Sequence, residues 1–186
     1  MANKDAAFGL KAIGKVGQNR DNQGLSEYDI AASATAIYQN DPVKMLATGT
    51  IGVAAAGDVL LGPLNGVFFT DASTSKPTYA NHLEASNTAT DIVGFVADDP
   101  YERFEVQSAG TVNQTNIGNC ADIAYTAGSS PNYVSKVEIS GTMAAGTAQL
   151  KIIGVSRDPD NNELGSANAN VIVSINEHFL KATAGI

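Results

Sequence analysis

Short runs of β-forming residues, each ended by turn residues, follow one another from about Glu27 onward. They recur about every ten residues, a spacing typical of an all-β sandwich or barrel. In the run NVIVSIN, residues Val171, Val173 and Ile175 share one face, which is the period of two of a strand with one buried side. The pattern predicts an all-β body, either an antiparallel β-sandwich or a β-barrel or jelly-roll-like fold.

One region interrupts this succession of strands. The segment PTYANHLEASN, residues 77–87, is the one helical candidate, and residues 71–90 as a whole are expected to form an insertion or a long loop. Further along, Asp98–Tyr101 reads as a turn fixed by its proline, so that Phe104 and Val106 point inward in the next strand.

The first 24 residues differ from the rest in glycine content and in charge. Four glycines interrupt any helical or strand period there. Four basic and two acidic side chains give residues 1–24 a net charge of +2. Because the whole chain has a net charge of −8, residues 25–186 carry −10. We predict an extended N-terminal arm, residues 1–24, followed by a single β-rich domain, residues 25–186.

The arm carries apolar and basic side chains that suit contacts with another surface. Apolar residues are unusual in a tail that only stays disordered. We hypothesise that the arm attaches the protein to a partner or joins copies to one another, and the alternative is a disordered leader. The predicted interface residues are Phe8, Leu10, Lys11, Ile13, Lys15, Val16 and Arg20.

Composition removes several classes of function. The single cysteine, Cys120, permits neither an intrachain disulfide nor a metal cage of paired cysteines. A net charge of −8 argues against broad binding to nucleic acid or to anionic membranes. No stretch has the length of a signal peptide core or the roughly 20 apolar residues of a membrane span. We therefore expect a soluble protein, synthesised in the cytoplasm, with no nucleic-acid or membrane partner.

Candidates for catalysis are few. His82 and His178 are far apart and belong to no metal or nucleophile signature, and Cys120 is read as a small buried residue. Carboxylates at Asp98, Asp99, Glu102 and Glu105 have the composition of an acid/base pair, although the turn and strand described above account for them equally well.

A second polar cluster lies in SRDPDNNELG, residues 156–165. Asp158, Asp160 and Glu163 supply carboxylates, but in the EF-hand register that starts at Asp158 the twelfth position is Ala169, which has no ligand oxygen. We predict a turn between two strands and leave a looser calcium site open. No cofactor and no metal is predicted.

Five segments, taken in order, stand out as a set. They are MANKDAAFGLK at the start, TAIYQNDPVK at 35–44, VADDPYERFEVQ at 96–107, LKIIGVSRDPDNNELG at 150–165 and VIVSINEHF at 171–179. Together they resemble the head decoration or cement proteins of tailed bacteriophages, and the resemblance is weak over residues 57–90. It implies a β-rich, non-catalytic trimer on the outer face of the virion capsid, where it contacts the major capsid protein and bridges capsomers.

Two other classes stay open. A β-module that binds a receptor or a glycan would use exposed aromatic side chains near loops, for which Tyr79, Tyr101 and Tyr133 are candidates. A hydrolase that depends on the carboxylates near residue 100 has less support, because neither a paired motif nor a nucleophile signature accompanies them.

Overall fold

The computed structural model describes residues 2–17 and 24–181, and within these ranges the chain forms thirteen strands and two single-turn 3-10 helices. The helices are Gln114–Asn116 and Phe179–Lys181. The strands are Lys11–Lys15 (β1), Ser26–Asp29 (β2), Pro42–Met45 (β3), Ile51–Val53 (β4), Gly62–Thr70 (β5), Pro77–Ala80 (β6), Val93–Val96 (β7), Glu102–Gln107 (β8), Cys120–Ala121 (β9), Ile123–Ala124 (β10), Glu138–Ile139 (β11), Leu150–Val155 (β12) and Asn170–Ile175 (β13).

The strands form two main antiparallel sheets. One has five strands in the order β1-β8-β13-β12-β9, and the other has six, in the order β2-β7-β5-β3-β4 with β6 paired to β5. A separate two-stranded pair joins β10 and β11. The all-β prediction is confirmed, and the arrangement is consistent with an antiparallel β-sandwich. In the part of the chain that the structure describes, no helix has the length and apolar character needed to cross a bilayer.

Each sheet has its own buried cluster. The period of two predicted for β13 is confirmed, since Val171, Val173 and Ile175 are buried on one side of the five-stranded sheet. The inward direction predicted for Phe104 and Val106 is confirmed as well. The second cluster lies against the six-stranded sheet and consists of Ile30, Ile37, Val43, Ile51, Leu61, Leu64, Val67, Leu83, Ala89, Ile92 and Val96.

The helix predicted over residues 77–87 is wrong. Pro77–Ala80 forms strand β6, which pairs with β5 and places Tyr79 opposite Phe68. Leu83 then enters the second buried cluster and forms a bridge with Ile37. The segment 71–90 therefore provides the second strand of a β-hairpin and contributes side chains to the core, so it is not a long loop without structure of its own.

The start of the chain is part of the β-body, in contrast to the predicted boundary at residue 24. Strand β1 pairs with β8 at the edge of the five-stranded sheet, with Lys11 opposite Glu105 and a bulge between Ala12 and Gly14. Leu10, which precedes this strand, is fully buried in the first cluster. Residues 2–17 are hereafter called the N-terminal segment.

Candidate functional site

The N-terminal segment docks on the loop between β12 and β13. The Asn3 side chain donates from Nδ2 to the Glu163 and Ala167 carbonyls, at 3.0 and 2.8 Å, and accepts from the Glu163 amide at 3.1 Å. Buried Asn161 accepts from the Lys4 amide at 3.3 Å and donates to the Lys4 carbonyl at 2.7 Å. Side-chain amides thus replace the backbone ladder of an ordinary strand.

Two further amides continue this arrangement toward β1. Gln107 donates from Nε2 to the Lys4 carbonyl at 2.8 Å and accepts from the Ala6 amide at 2.9 Å. Asn40 donates to the Phe8 carbonyl at 3.1 Å, and its own carbonyl accepts from the Leu10 amide at 3.0 Å. The segment is consequently held along its length from Asn3 to the buried Leu10.

Gly9 lets the segment approach the body closely. Its φ of +75° lies in the left-handed region, and a Cβ atom there would stand 2.3 Å from the Asn40 carbonyl oxygen and 2.5 Å from Ser135 Cβ. A residue with a side chain therefore meets both backbone strain and a steric overlap at this position.

The predicted interface residues of the arm have different surroundings. Leu10 is corrected: it lies in the core of its own chain, so it is not exposed to a partner. Lys15 forms an ion pair with Asp99, and Lys11 Nζ lies 3.9 Å from Glu105 Oε2. These two lysines lie beside carboxylates of their own chain, although the Lys11 side chain is 61% exposed, and their contact with a neighbour stays a prediction.

The other predicted interface residues of the arm differ in how much of their surface is exposed. Phe8 is half-buried, whereas Ile13 and Val16 have 42% and 48% of their surface exposed. Arg20 lies outside the described residues. Of the apolar residues predicted for the interface, Ile13 and Val16 are therefore the two with substantial accessible surface.

The polar loop at 156–165 connects β12 to β13, as predicted, and several of its polar groups have partners within the fold. Asp160 forms an ion pair with Lys4, and Asp158 accepts a hydrogen bond from the Asp160 amide at 3.1 Å. Residues 2–17 and 24–181 contain no group of three or more His, Cys, Asp or Glu side chains placed to hold a metal ion. The loop is held by its contacts with the N-terminal segment, by hydrogen bonds within itself and by the bond from the Gly165 amide to the Val112 carbonyl at 2.8 Å.

The carboxylates near residue 100 join β2, β1 and the β7–β8 turn. Asp98 accepts hydrogen bonds from Ser26 Oγ at 2.9 Å and from the Tyr28 hydroxyl at 2.6 Å. Burial, together with this bond to a carboxylate, raises the pKa of Tyr28. The hydrogen bond from Lys15 lowers the pKa of Asp99. Buried Glu102 accepts from the Gly14 amide at 3.1 Å.

The two histidines and the cysteine lie in different parts of the fold. His178 is buried, bridges to Leu60, and accepts from the Leu180 amide at Nδ1 at 3.1 Å. Burial lowers the pKa of His178 to about 4. His82 stacks on Tyr133, with ring centroids 3.8 Å apart. Cys120 lies in β9 and is half-buried, not fully buried as predicted.

A surface of which the sequence indicated only Tyr79 lies on the outside of the six-stranded sheet. Phe68 and Tyr79 are cross-strand partners with ring centroids 4.8 Å apart, and Tyr79 lies 6.5 Å from Phe95 in a stacked arrangement. Val93 pairs with Phe68 and shares its face. These four residues, Phe68, Tyr79, Val93 and Phe95, are called the aromatic face. Tyr79 is 74% exposed.

Gly66 lies beside the aromatic face. It pairs with Phe95 across β5 and β7, and a Cβ atom there would lie 3.0 Å from the Ala80 carbonyl oxygen, so β6 approaches this point closely. The period of two in the run GVFFTD separates Phe68 from Phe69 but does not say which of them is outside, so the sequence alone did not reveal this face.

The other two tyrosines proposed for ligand binding do not join the aromatic face. Tyr133 stacks on His82, and Tyr101 lies under the Lys181 ammonium, 5.0 Å from its ring centroid. Tyr79, Tyr101 and Tyr133 therefore have separate surroundings, and Tyr79 is the one that lies beside the half-buried rings of Phe68 and Phe95.

No family model matches the chain, and no match is found among curated proteins or among solved structures. The functional argument therefore rests on the residues and contacts described above.

Proposed function

We propose that this chain is a structural virion protein that binds the outer surface of a tailed-phage capsid as a trimer and stabilises it by bridging capsomers, without catalysis. The proposal rests on the ordered resemblance of five sequence segments to decoration proteins. Its partners are the major capsid protein and further copies of this chain, and its location is the outer face of the virion.

One spatial observation supports this proposal. The segments that carry the resemblance lie together in the fold: the N-terminal segment, β8, β12 with its loop, and β13 all belong to the five-stranded sheet or dock on it. The segment at 35–44 joins them through Asn40, which contacts Phe8 and Leu10. The resemblance thus follows one connected part of the molecule, as expected when it reflects a shared fold.

The surroundings of the carboxylates are compatible with a non-catalytic role. Asp98, Asp99 and Glu102 each hold a neighbouring strand or turn through hydrogen bonds or ion pairs. A protein that clamps a shell needs shape and many weak contacts, because a symmetric oligomer gains avidity from repeated contacts.

The test is a copy count on purified particles. We expect the protein in numbers comparable to those of the major shell protein, with symmetric density on the outer face at capsomer junctions in cryo-electron micrographs. Absence from particles, or only a few copies per particle, would overturn the proposal.

Binding to a receptor or a glycan is the second candidate. The observation in its favour is the aromatic face, on which Tyr79 is 74% exposed beside two phenylalanines. A few copies per particle, located at a vertex or on a fibre, would favour this candidate over decoration.

A further inference from the structure

The aromatic face points away from the buried cluster of its sheet. Val67 and Phe69 pack inward on either side of Phe68, so alternation directs Phe68 outward. Gly94 faces inward, where a Cβ would lie 3.0 Å from Ile30 Cδ1, which directs the neighbouring Val93 and Phe95 outward. The outer face of this sheet therefore presents aromatic and aliphatic side chains to its surroundings.

Carboxylates lie along the β2 side of this apolar surface and at one end of its strands. Exposed Glu27 pairs with Phe95, and exposed Asp29 pairs with Val93, so both extend the outer face toward β2. Two more acids lie at strand ends, Asp71 after β5 and Asp91 before β7. Lys76 is the single basic residue that accompanies these four carboxylates in strands β2, β5, β6 and β7 and in the adjoining residues 71–76 and 91–92. The surface is an apolar centre with an acidic rim along β2 and at these strand ends.

This charge distribution favours one kind of binding partner over the others. A second copy that packed the same face against itself would bring acidic rims together, and opposed like charges disfavour that contact. A neutral sugar ring can stack on Tyr79, whose plane lies within 17° of that of Phe95, but it has no positive charge to pair with the acidic rim. A basic protein surface meets both features, since its cations pair with the rim and lie over the rings.

We propose that the aromatic face is a docking surface for a basic protein surface, whose arginine or lysine side chains lie over Tyr79 and Phe95 and pair with Glu27 and Asp29. The same type of contact already exists within this chain, where Lys181 lies over the Tyr101 ring at 5.0 Å. Identifying the partner as the capsid shell rests on the proposed function; the docking chemistry itself does not.

The first experiment measures binding of the purified full chain to capsids assembled without it. We expect Tyr79→Ala and Asp29→Lys each to weaken binding about tenfold or more, because truncating a central anchor or reversing a rim charge removes a main contact. Because Tyr79 is mostly exposed, we expect its truncation to leave the fold intact. Circular dichroism and an unchanged urea midpoint check the folding of both variants.

Matched controls lie elsewhere on the molecule. Tyr101→Ala removes a tyrosine that is 64% exposed, and Asp5→Lys reverses one exposed charge on the N-terminal segment. Neither is expected to change binding more than about twofold, since neither residue touches the aromatic face. Equal losses for control and test variants would overturn the proposal, and so would unchanged binding by both test variants.

A second titration separates this inference from the proposed function. Hexa-arginine is added to the isotope-labelled protein, and backbone amide shifts are followed by NMR at moderate salt. We expect the largest shifts in β2, β6 and β7, and a marked reduction in Asp29→Lys. If wild-type protein fails to bind capsids, the decoration role fails, yet this titration still decides the docking chemistry.

Three results would contradict the inference. The first is a set of hexa-arginine shifts centred on the acidic loop at 158–163 with none in β2, β6 or β7. The second is an oligomer whose size changes in Tyr79→Ala, which would place the face between copies. The third is glycan binding that Tyr79→Ala abolishes while capsid binding stays intact.

Discussion

The Asn161 side chain forms a reciprocal pair of hydrogen bonds with the backbone of Lys4. Its Nδ2 donates to the Lys4 carbonyl at 2.7 Å, and its Oδ1 accepts from the Lys4 amide at 3.3 Å. A second bond from Nδ2 reaches the Asn168 carbonyl at 2.7 Å within its own loop. One buried amide therefore joins the beginning of the chain to the loop that connects two central strands.

Replacing this amide should loosen the N-terminal segment. Asn161→Ala leaves the Lys4 and Asn168 carbonyls without this donor in a part-buried site, and we expect a loss of about 2 kcal/mol or more in the free energy of unfolding. Urea unfolding measures the loss. Amide hydrogen exchange at Lys4 should accelerate while exchange in β13 follows only the global change.

The control is Asn162→Ala in the same loop. Asn162 is exposed, and a surface substitution of this kind should change stability by less than about 0.5 kcal/mol. Unchanged stability and unchanged exchange at Lys4 in Asn161→Ala would mean that the loop does not hold the segment.

Gly9→Ala should be more destabilising than the same change at another left-handed glycine. Gly9 and Gly17 have φ values of +75° and +79°, but a Cβ on Gly17 meets no atom within 4 Å. The backbone strain of about 1–2 kcal/mol is common to both. We expect Gly9→Ala to exceed Gly17→Ala by at least about 1 kcal/mol in urea unfolding, because it also overlaps the Asn40 carbonyl. Equal losses would show that the approach of the segment is not tight.

Features of the fold that depend on local periodicity, such as which side of a strand is buried, can be predicted from the sequence. Val171, Val173 and Ile175 alternate along one strand, and their burial follows from that spacing. Tyr79 shows the limit: its strand exists because it pairs with β5, a contact between distant residues that no short window of sequence contains. The segment around it has helix-like local spacing, and the tertiary pairing overrides it.

The docking of the N-terminal segment on the body could not be predicted for a related reason. Leu10 stands among glycines and charges, so composition suggests a tail, yet its side chain fills a core formed by residues about 45 to 165 positions later. Lys15 suggests a cation available to a partner, but Asp99 is its neighbour in the fold. Charges that a sequence assigns to intermolecular contact are easily satisfied within the chain, and only the fold decides between the two.

Asp41→Asn should stabilise the protein at neutral pH. Asp41 is fully buried, and its burial raises the pKa to about 6, although the Ser135 hydroxyl and the Tyr38 amide oppose the shift. The folded state therefore holds a proton that the unfolded state has released between pH 4 and 6, and stability falls as pH rises through that window.

An amide at position 41 removes this penalty and can still accept the hydrogen bond that the Tyr38 amide donates to Asp41 Oδ2 at 2.8 Å. We expect a gain of about 1–3 kcal/mol at pH 7 and little change at pH 4, measured by urea unfolding at both values. Exposed Asp29→Asn is the control, with no comparable gain. A loss of stability at pH 7 would contradict the assignment of Asp41 as a destabilising buried charge.

His178 should impose the opposite dependence over the same range. Its pKa is lowered to about 4 in the folded state by burial and by Lys181, against the attraction of Asp98 and Asp99. The unfolded chain takes up a proton below about pH 6.5, so the contribution of His178 is complete above that pH and is lost as pH falls toward 4. In the wild type this loss and the gain from Asp41 partly cancel.

The two contributions separate in the Asp41→Asn background. There we expect the free energy of unfolding to fall by about 3 kcal/mol between pH 6.5 and pH 4. Adding His178→Asn, whose Oδ1 can accept the Leu180 amide in place of Nδ1, should cost some stability at pH 7 but remove most of that slope. Adding Asn162→Ala, a change at an exposed position without a titratable group, should leave the slope in place. A slope that survives in the His178→Asn variant would show that the buried imidazole is not its source.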